Sequence, residues 1–202
     1  MTGLSKLEAE PAHAYAKNRR GVRALLLWLL ATAMAAQGAP ADSTYQFTEQ
    51  ERGYSFTATF ELDAPADRVL DLLYGFEHFQ KFARRSRCEL LDEGPDWQRV
   101  RYTHSAGFWT MTATLRRELD RPGGCVWFEM ESAARSGLPI PLPTASSGHY
   151  CVAQGETGLR VTYQQVGETE ASALKAAWLR YARTEAIAFA QDMESYVRAH
   201  AR

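Results

Sequence analysis

Hydrophobic and polar positions alternate strictly from residue 54. Tyr54, Phe56, Ala58, Phe60 and Leu62 share one side, and Ser55, Thr57, Thr59 and Glu61 the other, the period-two signature of a half-buried strand. The period then lengthens. In residues 63–73, DAPADRVLDLL, the side chains of Val69, Leu70, Leu72 and Leu73 form the apolar side of a short helix. Asp63 is its expected N-cap, and Pro65 sits in the first turn, where a missing N–H costs nothing. Gly75 ends that helix. Residues 76–86, FEHFQKFARRS, predict a second one burying Phe76, Phe79 and Phe82.

Six more strand-like stretches follow, at residues 88–94, 97–105, 108–119, 125–132, 149–154 and 159–166. Turn signals at 94–96, 120–124 and 155–158 separate them, with a Pro-rich loop over 135–148. Residues 169–200 then contain no Gly or Pro, and Leu174, Trp178, Tyr181, Phe189, Met193 and Tyr196 recur at helical spacing. This predicts a long amphipathic helix whose aromatic stripe needs a broad apolar partner, and the sheet is the only candidate. One strand, two short helices, six strands and a long helix make an α+β chain with an antiparallel sheet and its helices on one face.

That order, with the phrase FELDAPADRVLDLLYGFEHFQKF over residues 60–82, resembles the START-like, or SRPBCC, superfamily, especially its polyketide cyclase/dehydrase and lipid-transport members. The resemblance implies a helix-grip fold: a curved seven-stranded antiparallel sheet gripping the C-terminal helix, with two short helices between strands 1 and 2. It also implies an interior cavity for an apolar ligand such as a lipid, sterol, quinone or polyketide-like compound. The expected domain spans residues 53–200, with residues 42–52 as a short linker.

Residues 1–41 read differently. An uncharged run of 13 residues, ALLLWLLATAMAA at 24–36, follows Arg19, Arg20 and Arg23 and precedes small residues. That is a signal peptide with an extended, polar n-region; a spanning helix needs about 20 apolar residues, so an uncleaved anchor is the weaker alternative. The expectation is an exported protein, periplasmic or secreted.

Charge narrows the partners. The first 41 residues hold five basic and two acidic side chains, so the rest carries 18 of the 23 basic and 22 of the 24 acidic ones, a net −4. Nucleic acid is therefore not an expected partner. Arg84, Arg85, Arg87, Arg99 and Arg101 form the one basic cluster, a solvated rim or a transient contact to an anionic membrane surface. Glu129 and Glu131 read as acids on the wet face of their strand.

Chemistry is sparse. The chain has no Gly-rich phosphate loop, G-x-S-x-G elbow, HExxH or CxxC, and neither a cofactor nor a metal is expected. Cys125, Cys151 and His149 are a weak zinc triplet; a Cys125–Cys151 disulfide is the better expectation, although a symmetric loop would bring Cys125 nearer Gly155. His104 shares strand parity with Val100 and Tyr102 and so points inward, where a histidine serves as a packed hydrogen-bonding residue or an acid/base. The expected ligand-binding residues are Tyr102, His104, Trp109, Met111, Phe128, Met130 and Tyr163 from the sheet and Trp178, Tyr181 and Phe189 from the helix. A mixture of aromatic, Met and polar-tipped side chains suits an apolar pocket with a few orienting groups. The rival reading is a cyclase/dehydrase- or hydrolase-type enzyme using His104, Arg117 or Tyr163 in that cavity.

Overall fold

In a computed structural model, alternation along the sheet decides which side chains meet the helices. The structure describes residues 43–107, 109–137 and 140–202; the leader at 1–41 lies outside them. The strands are β1 (Thr44–Gln50), β2 (Gly53–Leu62), β3 (Arg87–Glu93), β4 (Trp97–Ala106), β5 (Trp109–Asp120), β6 (Cys125–Gly137), β7 (Pro143–Gln154) and β8 (Leu159–Thr169). The helices are α1 (Ala66–Tyr74), α2 (Phe76–Phe82) and α3 (Lys175–His200). The strands form one unclosed antiparallel sheet in the order β1-β2-β8-β7-β6-β5-β4-β3.

The sheet thus has eight strands where the sequence predicts seven. The extra one, β1, occupies the span read as a linker and pairs with β2 from Thr44↔Thr59 to Gln50↔Gly53. Only Tyr45 and Phe47 on it are large and apolar. Phe47 stacks on Tyr54 at 5.0 Å between ring centroids, while Tyr45 donates a hydrogen bond to Glu194 on α3. Glu194, 3% exposed, also accepts from Ser43 Oγ at 2.7 Å and Arg198 Nε at 2.8 Å. A buried carboxylate satisfied from both sides fastens the edge strand to the helix.

Asp63 does not cap α1. The helix begins after Pro65, whose carbonyl accepts from Val69 N at 3.1 Å, and no side chain caps it. β7 begins at Pro143, inside the span read as a Pro-rich loop. The predicted aromatic stripe of α3 is also only part of its buried face: Leu174 precedes the helix and is exposed, whereas Ala182, Ala186, Ala188 and Ala190 are buried.

Cys125 pairs directly with Cys151, and the two form a disulfide with a Cα–Cα distance of 4.2 Å. The connection between β6 and β7 is asymmetric, because their pairing runs only to Glu129↔Ser147. Beyond it the strands part, β6 continuing beside β5 to Gly137 and β7 starting beside β8 at Pro143. Gly124 makes the tight β5–β6 turn at φ +66°, a left-handed backbone that favours glycine.

Candidate functional site

Bare backbone on α3 leaves space against the sheet. Ala182 and Ala186 lie one helical turn apart between Trp178 and Phe189, and all four line a cavity of about 170 Å³ on the inner side of the sheet. Nine of the ten residues singled out in the sequence stand on its wall: Tyr102, His104, Met111, Phe128, Met130, Tyr163, Trp178, Tyr181 and Phe189. Trp109 does not. It sits behind the wall, its ring 5.5 Å from those of both His104 and Tyr181 and 6.3 Å from Trp178.

Tyr54, Tyr150 and Gln165 also line the cavity without having been singled out. Their strand parity is the signal that would have found them: Tyr54 shares a strand face with Phe56, Tyr150 with Val152 and Gln165 with Tyr163. The Tyr150 and Tyr163 rings stack at 4.9 Å. Gly148 permits the neighbouring wall, since a Cβ there would stand 2.5 Å from Phe128 Cζ and 2.0 Å from the Gln164 carbonyl oxygen.

Two polar lines interrupt this apolar wall. In one, the Tyr181 hydroxyl hydrogen-bonds His104 Nε2, and the ring's Nδ1 hydrogen-bonds Ser86 Oγ at 3.1 Å, one ring nitrogen donating and the other accepting. Burial holds the His104 pKa below its ordinary 6.5, opposed by the nearby Glu185 carboxylate, so the imidazole is neutral at neutral pH. In the other, Tyr163 donates to Gln165 Oε1 at 2.7 Å, and Gln165 Nε2 donates to Ser146 Oγ at 3.0 Å. Burial pushes the Tyr54 and Tyr102 phenols up to about 12 and those of Tyr150, Tyr163 and Tyr181 higher still. All five are therefore neutral hydrogen-bonding groups. The site can orient an oxygen-bearing apolar molecule, and the Tyr181–His104 pair can give or accept a proton.

Arg117 has a different task from the one the enzyme reading gave it. It is fully buried but does not line the cavity. Nη2 donates to the Leu73 carbonyl at 2.5 Å, and Nη1 to the Tyr74 carbonyl at 2.9 Å and Gln98 Oε1 at 3.0 Å. Its guanidinium lies 4.4 Å from the Phe79 ring centroid. It caps the carboxyl end of α1, where a cation meets the negative end of the helix dipole.

The basic cluster is largely neutralised. Arg84 pairs with Asp192, Arg85 with Glu185 at 3.2 Å, Arg99 with Glu131 at 2.9 Å and Arg101 with Glu89 at 3.1 Å. The disulfide takes both thiols away from His149, which packs instead on Trp127 at 4.7 Å. That pair borders a groove of about 370 Å³ on the outer side of the sheet. The groove is edged by Arg116, Glu118 and Glu129 and shares Phe128 and Gln165 with the inner cavity, whereas His104, Tyr163 and Tyr181 line the inner cavity alone. Among the described residues no helix is long and apolar enough to cross a membrane.

No family profile and no curated protein sequence matches the chain. Solved structures do. A STAR-related lipid transfer protein from Xanthomonas axonopodis matches with TM-score 0.57 at 18% identity, over 82% of this chain and 96% of that one. The Zhui aromatase/cyclase from Streptomyces sp. R1128 gives 0.52 at 21%, over 72% and 96%. Ginseng major latex-like protein 151 from Panax ginseng gives 0.52 at 14%, over 73% and 96%. At such identities the likeness is one of architecture, and it agrees with the element order read from the residues: the chain has the helix-grip fold of the SRPBCC, or START-like, superfamily.

Proposed function

We propose that this protein binds or carries a hydrophobic small molecule in the cavity between the sheet and α3, and that it does so after export. The observation that carries the binding reading is an aromatic-walled cavity of about 170 Å³ with two internally satisfied hydrogen-bonding lines. Pockets of that character, mostly apolar with a few placed polar groups, hold small molecules. The similar solved structures include lipid-transfer and aromatase/cyclase proteins, which supports the same reading. Export is supported by the basic-then-apolar leader and by a disulfide, a bond that persists in oxidising compartments. Mass spectrometry of extracts from the natively exported protein tests both parts. A stoichiometric apolar compound is the expected result; a protein retained in the cytoplasm and free of any such compound overturns the proposal.

The half-buried Tyr181–His104–Ser86 line favours a second reading, acid–base catalysis on the bound molecule. Under it, His104→Gln abolishes conversion of a substrate while its binding persists.

A further inference from the structure

The strand registers show how the groove on the outer side of the sheet is built. In one row Trp127 on β6 stands between Glu118 on β5 and His149 on β7. In the next, Glu129 stands between Arg116 and Ser147, with Val166 beyond on β8. All of these residues line the groove. Alternate residues of a strand share a face about 7 Å apart, and neighbouring strands lie about 4.8 Å apart. Trp127 and Glu129 are therefore immediate neighbours, beside the short side chain of Ser147.

Apolar surface is left in solvent here. Among the described residues three large apolar side chains are exposed, and two of them, Trp127 at 47% and Val166 at 45%, line this groove. The His149 ring packs against the indole at 4.7 Å, tilted by 58°. Exposed apolar surface gathered in a concavity and rimmed by polar residues marks an interaction site.

Charge indicates the occupant. Arg116 faces Glu129 in the register but does not pair with it. Its Nε donates to Glu118 at 2.6 Å, and its guanidinium lies 4.8 Å from the ring centroid of Trp97, on β4 and so across β5 from Glu129. The Glu129 carboxylate is thus left without a partner among the described residues, next to an exposed indole. Other acids of the sheet are matched, Glu131 by Arg99 and Glu89 by Arg101. Burial holds the His149 pKa below its ordinary 6.5, so the imidazole does not repel a cation at neutral pH. The face of a Trp ring is the best aromatic surface for a cation, which it attracts within about 6 Å.

We infer that the groove binds a small alkylammonium ion, its cationic head set between the Trp127 indole and the Glu129 carboxylate and its carbon chain toward Val166. These three residues line the groove and not the inner cavity, so the site is independent of the proposed function. NMR titration of the purified full chain with choline, with its uncharged isostere 3,3-dimethyl-1-butanol and with glucose tests it. The indole N–H signal missing from Trp127→Leu identifies Trp127, and choline shifts that signal. Choline binds about fivefold tighter than the alcohol, the combined worth of an exposed cation–π contact and an exposed ion pair. Glu129→Gln lowers choline affinity about threefold and leaves that of the alcohol unchanged. Trp127→Leu lowers it by a similar factor, read from the Val166 methyl signals. Both side chains are exposed, so both variants fold. Equal affinity for choline and the alcohol, or choline affinity that survives both substitutions, overturns the inference. A Trp127 signal that stays still does so too, as does one that answers only to glucose, the mark of a saccharide site. Choline that shifts only the other indoles sits elsewhere and also overturns it. Each of these failures leaves the proposed binding function standing.

Discussion

At the scale of single residues, the cavity exists because of what two positions lack. Ala182 and Ala186 give α3 no bulk on a cavity wall that Tyr163 and Phe128 also line. Ala186→Leu should fill the space, lowering affinity for an apolar probe at least about tenfold while unfolding free energy falls by no more than about 1 kcal/mol, near the low end for added core volume. Titration of both proteins, paired with urea melts, checks this. His104 carries a second expectation. Its folded pKa lies below the 6.5 of the unfolded chain, so its contribution to stability is complete above that value and is lost as pH falls through the folded one. Urea midpoints should drop from about pH 7 to about pH 5, and His104→Gln should flatten part of that slope; half-buried His149, also depressed by burial, supplies a share of the same sign. Parity made Tyr102, Tyr163 and His104 legible in the sequence, and helical spacing made Tyr181 so. The alanines were not, because a small residue adds nothing to an apolar stripe, and Ser86 was not, because it reaches His104 from the segment after α2.

At the scale of elements, legibility followed apolar content. β2, α1, α2 and β5 declare themselves through dense periodic side chains. β1 carries two large apolar residues among seven, since an edge strand faces solvent along most of its length, so its pattern was too thin to read. β7 was shortened for the opposite reason: its one proline and its serines signal a loop, yet the pairing of Pro143 with Thr169 at the strand's outset leaves no central ladder for proline to break. Arg117 shows how one side chain can join elements whose separation in sequence hides the contact. Arg117→Met keeps the bulk and removes the donors, stranding the Leu73 and Tyr74 carbonyls. A loss of about 3 kcal/mol is expected, measured by denaturant unfolding; an undiminished protein would show that water replaces the guanidinium.

At the scale of the whole molecule, element order carried the fold across sequences that are otherwise dissimilar. Alternation could not settle the β6–β7 register, because that depends on how the connection between them is divided. The disulfide that register allows encloses a segment with a sequence separation of 26. Reduction should therefore lower the unfolding free energy by about 3 kcal/mol through the greater freedom of the unfolded chain. Melting with and without reductant reads this directly, and an unchanged curve would mean that the sheet alone holds the two strands.

The same bond has a mechanical side. β6 and β7 are riveted at Cys125–Cys151, stay laced for five residue pairs, and then part, each still paired with its other neighbour. Like a pair of dividers they are joined at one end and spread at the other, where Met130 and Ser146 stand on the cavity wall. The breadth of the chamber is thereby tied to an angle set on its far side. Oxidised protein should discriminate sharply by ligand girth, and reduced protein should tolerate wider guests.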